Sequence, residues 1–204
     1  MNQVLLSNAY LAPVRYYSVL YRFQHITIEQ HCHYQKQTYR NRCQIATANG
    51  IQTLSVPIEK PETLKCLTKD IRIASHGNWQ HLHWNAIVSA YNSSPFFEYY
   101  EDDFRPFYEK DFSFLVDFNE NLREMICRLL DIDVQVEYSS EYEAAFQGFD
   151  LREAIHPKRE YEGEVPDIPL QPYYQVFQEK FGFQENLSIV DLLFNMGPES
   201  MLFL

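Results

Sequence analysis

Glycine is scarce in this chain, six residues among 204, and none is placed to build a phosphate-cradling loop, which removes the P-loop and dinucleotide fingerprints from consideration. The four cysteines, Cys32, Cys43, Cys66 and Cys127, form no CxxC pair. That spacing predicts reduced thiols, and with no leader-like segment ahead of Val4 a cytoplasmic location is expected. No apolar run approaches the roughly 20 residues that span a bilayer, so no membrane insertion is expected. Positive charge is also in deficit: 17 Lys and Arg against 28 Asp and Glu leave a net charge of -11. Nucleic acid is therefore not an expected partner for the chain as a whole.

Aromatics are plentiful, with fifteen Tyr and fifteen Phe, so the core and any pocket should be built from rings, with many tyrosine hydroxyls needing partners. The length suits one domain over 1–204, burying roughly 70% of the surface its unfolded chain exposes.

Val4, Leu5 and Leu6 read as a buried strand, Pro13 opens a helix running to about Phe23, and Ile26-Thr27-Ile28 resumes a strand. A strand-helix-strand opening builds a parallel pair. Residues 43–47 and 53–58 form a hairpin around Asn49-Gly50, and 70–74 alternates as a half-exposed strand. Helices are predicted over 79–92, 96–108 and 111–130. In the last, Phe114, Leu115, Phe118, Leu122, Met125, Ile126, Leu129 and Leu130 take one face and Asn119, Glu120, Arg123 and Glu124 the other, with Asp111 or Ser113 as cap. A strand at 134–138 precedes 139–170, an acidic stretch broken by Gly and Pro and read as a mobile loop. Short helices over 173–181 and 189–195, the second capped by Ser188, close the chain. The fold class expected is α/β: a single domain with a mixed sheet, a β-hairpin and a C-terminal helical half.

Residues 30–58 hold no Asp or Glu, whereas Lys36, Arg40 and Arg42 fall within seven residues, interleaved with Tyr34, Gln37, Tyr39 and Asn41. Charge, stacking faces and planar amides in one place suit an anionic or sugar-like small molecule; the bland alternative is a solvated basic loop or a brace for the hairpin. The carboxyl ends of the first two strands, near Tyr10 and Glu29, are where open α/β sheets place ligands, and Glu29 beside the cations is the candidate general base. His31-Cys32-His33 lacks any zinc spacing, so no metal is expected, and no cofactor motif occurs. His81 and His83 read as structural, packed beside aromatics, and Glu98, Glu101, Asp102 and Asp103 as a solvated helix face.

Several blocks in fixed order then become familiar: Tyr39-Arg40-Asn41-Arg42, the segment 45–57 with Asn49-Gly50, Trp79, Tyr91, Ser94-Pro95-Phe96-Phe97, Leu115 with Asn119 and Leu122, and the closing 186–195 and 197–200. The sequence resembles the WbqC-like family of bacterial proteins, some of whose genes lie in surface-polysaccharide clusters. Members usually carry His-Gln-Pro at the end of the first strand, where this chain has Leu6-Ser7-Asn8, and a glycine-rich segment where this chain has the acidic 139–170. The resemblance implies modification of an activated sugar or polysaccharide precursor, as a transferase. Two phosphates would meet Lys36, Arg40 and Arg42; Tyr10, Tyr34, Gln37, Tyr39 and Asn41 would meet rings and hydroxyls, and Asn186 and Asp191 would orient the same pocket. The alternative is a non-catalytic protein that binds a pathway partner or a second copy of itself.

Overall fold

In the computed structural model, which describes residues 3–61, 63, 65–161 and 165–204, the first strand β1 (Val4–Ser7) is covered on both faces, with Val4, Leu5 and Leu6 fully buried. A strand apolar at every position is what a parallel sheet with both faces covered requires. Pro13, with φ fixed near the helical value, precedes α1 (Val14–Arg22), which returns the chain to β2 (His25–Glu29) parallel to β1, Val4 facing Ile26 and Ser7 facing Glu29. β5 (Gln135–Tyr138) joins the far side of β2 and β6 (Phe149–Asp150) the free side of β1, giving the order β5-β2-β1-β6, every pair parallel.

The sheet is thus wholly parallel rather than mixed, because the hairpin β3 (Arg42–Thr47) and β4 (Gly50–Ser55) forms a separate two-stranded ribbon. Its turn sits one residue earlier than the Asn49-Gly50 pair implies. Ala48 and Asn49 occupy it, only Gly50 takes positive φ (105°), and Thr47 Oγ1 donates to the Gly50 carbonyl at 2.7 Å.

The helices α2 (Trp79–Tyr91), α3 (Phe97–Glu109), α4 (Leu115–Leu129), α5 (Gln178–Phe181) and α6 (Ile189–Met196) lie beyond the hairpin. Their rings form two nests, Phe194 against Tyr91, Phe97 and Phe104, and Phe118 against Tyr10, Trp79, Tyr108 and Phe112. Edge-on and stacked pairs of this kind contribute about 0.5–1.5 kcal/mol each beyond the area they bury.

Four local expectations are corrected. Residues 70–74 are not a strand; after a 3-10 turn at Thr68–Asp70 the chain is sandwiched between two short neighbours, Glu59 donating to the Arg72 carbonyl and Leu115 to that of Ile71, with only single bridges Ile58 to Ile73 and Arg72 to Phe114. That pairing holds Phe114 extended at the N-cap, so α4 starts at Leu115 with no side-chain cap. Residues 173–177 are non-helical because Tyr173 and Gln175 are drawn to Asp191. Ser188 occupies the N-cap of α6, but its hydroxyl donates to the Leu11 carbonyl at 2.8 Å instead of capping. Among the described residues no helix is long and apolar enough to cross a membrane.

Candidate functional site

The chain leaves β1 toward β2 on one side and returns to β1 as β6 on the other, and open α/β sheets place ligands in the crevice beyond strand ends where connections diverge. Here that crevice is walled by Ser7 and Asn8 from β1, by Thr38, Tyr39 and Arg40 from the basic stretch, and by Leu151, Arg152 and His156 following β6. It is so slim that about one water molecule fits between its walls.

Arg40 is its dominant group. The side chain is 2% exposed, and its Nη2 donates to Ser7 Oγ at 2.8 Å and to Glu153 Oε1 at 3.1 Å, while Nε is buried without a partner. Asn119 of α4 holds the Arg40 carbonyl at 2.8 Å. His156 accepts from the Lys158 backbone N–H at Nδ1 (3.0 Å), which leaves its proton on Nε2. Burial lowers its pKa, and Arg159, Arg40 and Lys158 act in the same direction against Glu153, so at neutral pH it is an uncharged donor.

Beneath the crevice lies a second charged layer. Glu29 is fully buried and accepts from the His31 and Cys32 N–H groups at 2.6 and 3.1 Å, from Ser139 Oγ at 2.9 Å and from Arg152 Nη1 at 3.4 Å. Arg152 also grips Asp150, its Nε at 2.9 Å from Oδ1. With three donors on Oε1 and Arg152 on Oε2, Glu29 is the buried counter-charge of Arg152, a role that competes with that of a general base. Removing one member of such a buried pair typically costs about 3–5 kcal/mol. A third knot joins Asn8 Nδ2 to Glu120 Oε1 at 2.6 Å and Arg123 Nε to Glu120 Oε2 at 2.7 Å, with the Tyr138 hydroxyl on the same carboxylate at 3.1 Å.

Of the residues singled out from sequence, the crevice gathers Arg40 and Tyr39, with Glu29 beneath and Gln37 at the rim, where its side chain takes a bond from Lys158. Tyr34 is half-buried beside Arg42 and Arg40, its pKa pushed up to about 12 by burial against their pull. Arg42 lies part-buried on β3 and Lys36 is exposed; neither lines the crevice. Asn41 Nδ2 is bound to the Val56 carbonyl at 2.9 Å, pinning the hairpin's open end. Tyr10 is in the core, its hydroxyl bonded to His83 and Tyr108 at 2.9 Å each. Asn186, at φ 55°, accepts from the Arg15 N–H, and Asp191 is buried under Tyr91, Tyr173 and Gln175. The structure places neither in the crevice. Among the described residues no three metal-ligating side chains come together.

The strand end at Ser7 and Asn8 lies where the sequence places ligands, whereas Arg152, Glu153 and His156 were missed. The face of α4 opposite its apolar stripe, given to Asn119, Glu120, Arg123 and Glu124, is itself largely covered: the first three are buried and, of the four, only Glu124 is exposed. The usable signal was Asn119 at the centre of the strongest helix, a polar residue that a helix interior tolerates only with partners.

The family model for WbqC-like proteins matches residues 8–162. The chain belongs to the WbqC-like protein family. The chain is also similar to Uncharacterized protein Rv1507c of Mycobacterium tuberculosis, 27% identical over 224 residues that span 98% of this chain and 96% of that protein. No solved structure matches this WbqC-like chain. The first-strand end, where the resemblance places His-Gln-Pro, is the Leu6 to Asn8 wall of the crevice in this WbqC-like protein.

Proposed function

We propose that this WbqC-like protein is a group-transfer enzyme acting on a phosphate-bearing precursor of surface polysaccharide, an activated sugar being the class that fits best, and that the precursor's phosphate binds in the crevice. One observation carries the reading: in a chain of net charge -11, a guanidinium 2% exposed keeps an unpartnered Nε in a cleft at the carboxyl ends of parallel strands. A buried N–H donor without a partner is costly, and a ligand oxygen relieves that cost. Arg40 is then the anion anchor, with Lys36, Arg42, Lys158 and Arg159 supplying positive field at longer range and His156 Nε2–H a neutral donor. Tyr39, Tyr34 and Gln37 are the neighbours available to sugar hydroxyls or a base ring.

The test is thermal unfolding with a panel of nucleotide-sugars, on the native protein and on Arg40→Ala, with circular dichroism to show that the variant folds. A ligand at a hundred times its Kd stabilises by about 2.7 kcal/mol, a shift of a few degrees. We expect that shift in the native protein and its loss in Arg40→Ala. A silent panel, or equal shifts in both proteins, overturns the reading. The rival is a non-catalytic protein that binds a pathway partner, favoured by the burial of Glu29 against Arg152 and by the Arg40 pair with Glu153; recovery of a stoichiometric protein partner with a silent panel would establish it.

A further inference from the structure

Arg40 and Arg159 differ from the other paired arginines of this region. Arg152 has two carboxylates, Asp150 and Glu29, and Arg123 has Glu120 and Glu124. Arg40 and Arg159 share one: Glu153 gives Oε1 to Arg40 Nη2 at 3.1 Å and Oε2 to Arg159 Nη1 at 3.5 Å. Lys158 beside them is bonded to the neutral Gln37 side chain. Among the described residues Lys158 contacts no carboxylate, and Arg40 and Arg159 have only Glu153 in direct contact, with Asp150 and Glu160 standing on the same hollow wall.

The bond to Arg40 is also incomplete. Nε and Nη2 lie on one edge of a guanidinium, the edge that grips two oxygens of a carboxylate or phosphate side by side. Glu153 meets only Nη2, and Nε stays unpartnered although buried. The carboxylate is turned to span two arginines and satisfies neither fully. Its place is a boundary: Glu153 belongs to the wall of an open hollow of about 930 Å³ next to the slim crevice, and its side chain is 37% exposed where Arg40 is 2%. Glu153 is the member of the pair that is free to swing away.

We propose that Glu153 is a built-in stand-in for the ligand's phosphoryl group, so that its displacement selects a phosphoryl dianion over a carboxylate. This rests on the reading that the crevice binds an anion. A carboxylate ligand would exchange one single charge for another and gain only the Nε contact. A phosphate monoester or diphosphate brings a second charge and a third oxygen, so that it takes the whole Nε–Nη2 edge of Arg40 and still has an oxygen for Arg159, the two contacts that Glu153 makes only in part.

Calorimetric titration of inorganic pyrophosphate and of acetate into the native protein and Glu153→Gln, at one low ionic strength, tests this. The glutamine keeps the shape and removes the competing charge. Pyrophosphate should bind Glu153→Gln at least tenfold more tightly than the native protein, and acetate should bind measurably to the variant alone. Pyrophosphate binding to the native protein that is unchanged or weakened in Glu153→Gln overturns the stand-in while leaving the anion site in place. No pyrophosphate binding by either protein removes the anion site and the stand-in together. If Glu153→Gln does not fold, Glu153→Ala, which removes both the competing charge and its reach, replaces it under the same criteria.

Discussion

Asp191, 1% exposed, takes hydrogen bonds from the Tyr91 hydroxyl at 2.9 Å, the Tyr173 hydroxyl at 2.8 Å and Gln175 Nε2 at 2.9 Å. Burial nevertheless outweighs these donors and raises its pKa to about 6. Because the folded state holds this proton more tightly than the unfolded chain does, the contribution is fully present below about pH 4 and is lost as pH rises through about 6. A shift of that size corresponds to about 3 kcal/mol. Urea unfolding across pH 4 to 7 should show native stability gaining on that of Asp191→Asn by about this amount toward the acid end; a constant difference between the two proteins would discard the assignment. None of this could be read from the sequence, where Asp191 looks like an acidic residue in the first turn of a helix. Its partners lie 100, 18 and 16 residues away, and only the tertiary fold brings them together. Arg40 was legible because an acid-free stretch surrounds it, while Glu153 lay in a stretch whose many carboxylates made none of them distinct.

At the scale of elements, those with strong apolar periodicity or capping signals were found in place: β1, α1, β2, the hairpin and the interior of α4. β6 was not, because two residues carry no period, and its existence depends on Phe149 and Leu151 donating to the carbonyls of Gln3 and Leu5. The junction after α6 offers a test of element geometry. Gly197 has φ 55°, and a Cβ placed there would meet the Phe96 ring at 2.5 Å, while Phe96 itself donates to the Phe194 carbonyl at 3.0 Å. Strain in the left-handed region and overpacking act together, so Gly197→Ala should lose about 2–4 kcal/mol in denaturant unfolding. A loss under about 0.5 kcal/mol, the scale of an unremarkable surface change, would mean that α3 and α6 can slide apart freely at this point.

For the molecule as a whole, net charge -11 and a crevice ringed by cations respond to salt in opposite directions. Raising sodium chloride from about 0.01 M to about 0.15 M shortens the screening length from about 30 Å to about 8 Å. Self-repulsion then weakens, so the thermal midpoint should rise, while pyrophosphate affinity at the crevice should fall several-fold. Midpoint and affinity moving in the same direction would contradict this separation of charge.

The crevice is closed by the contact of Ser7 with Arg152, 145 residues apart, and Arg40 meets Glu153 across 113. Contacts of such sequence separation form late, after the entropy of a long loop has been overcome. During synthesis, a chain that has emerged only to residue 148 carries Arg40 without its counter-ion and β1 with one bare edge, an invitation to non-native strand pairing. Under the proposed function, anion binding would be a readout of finished biogenesis: a nascent or truncated chain that stops short of the last strand lacks Arg152 and His156 of the crevice wall and Glu153 beside them, however well its helices have formed.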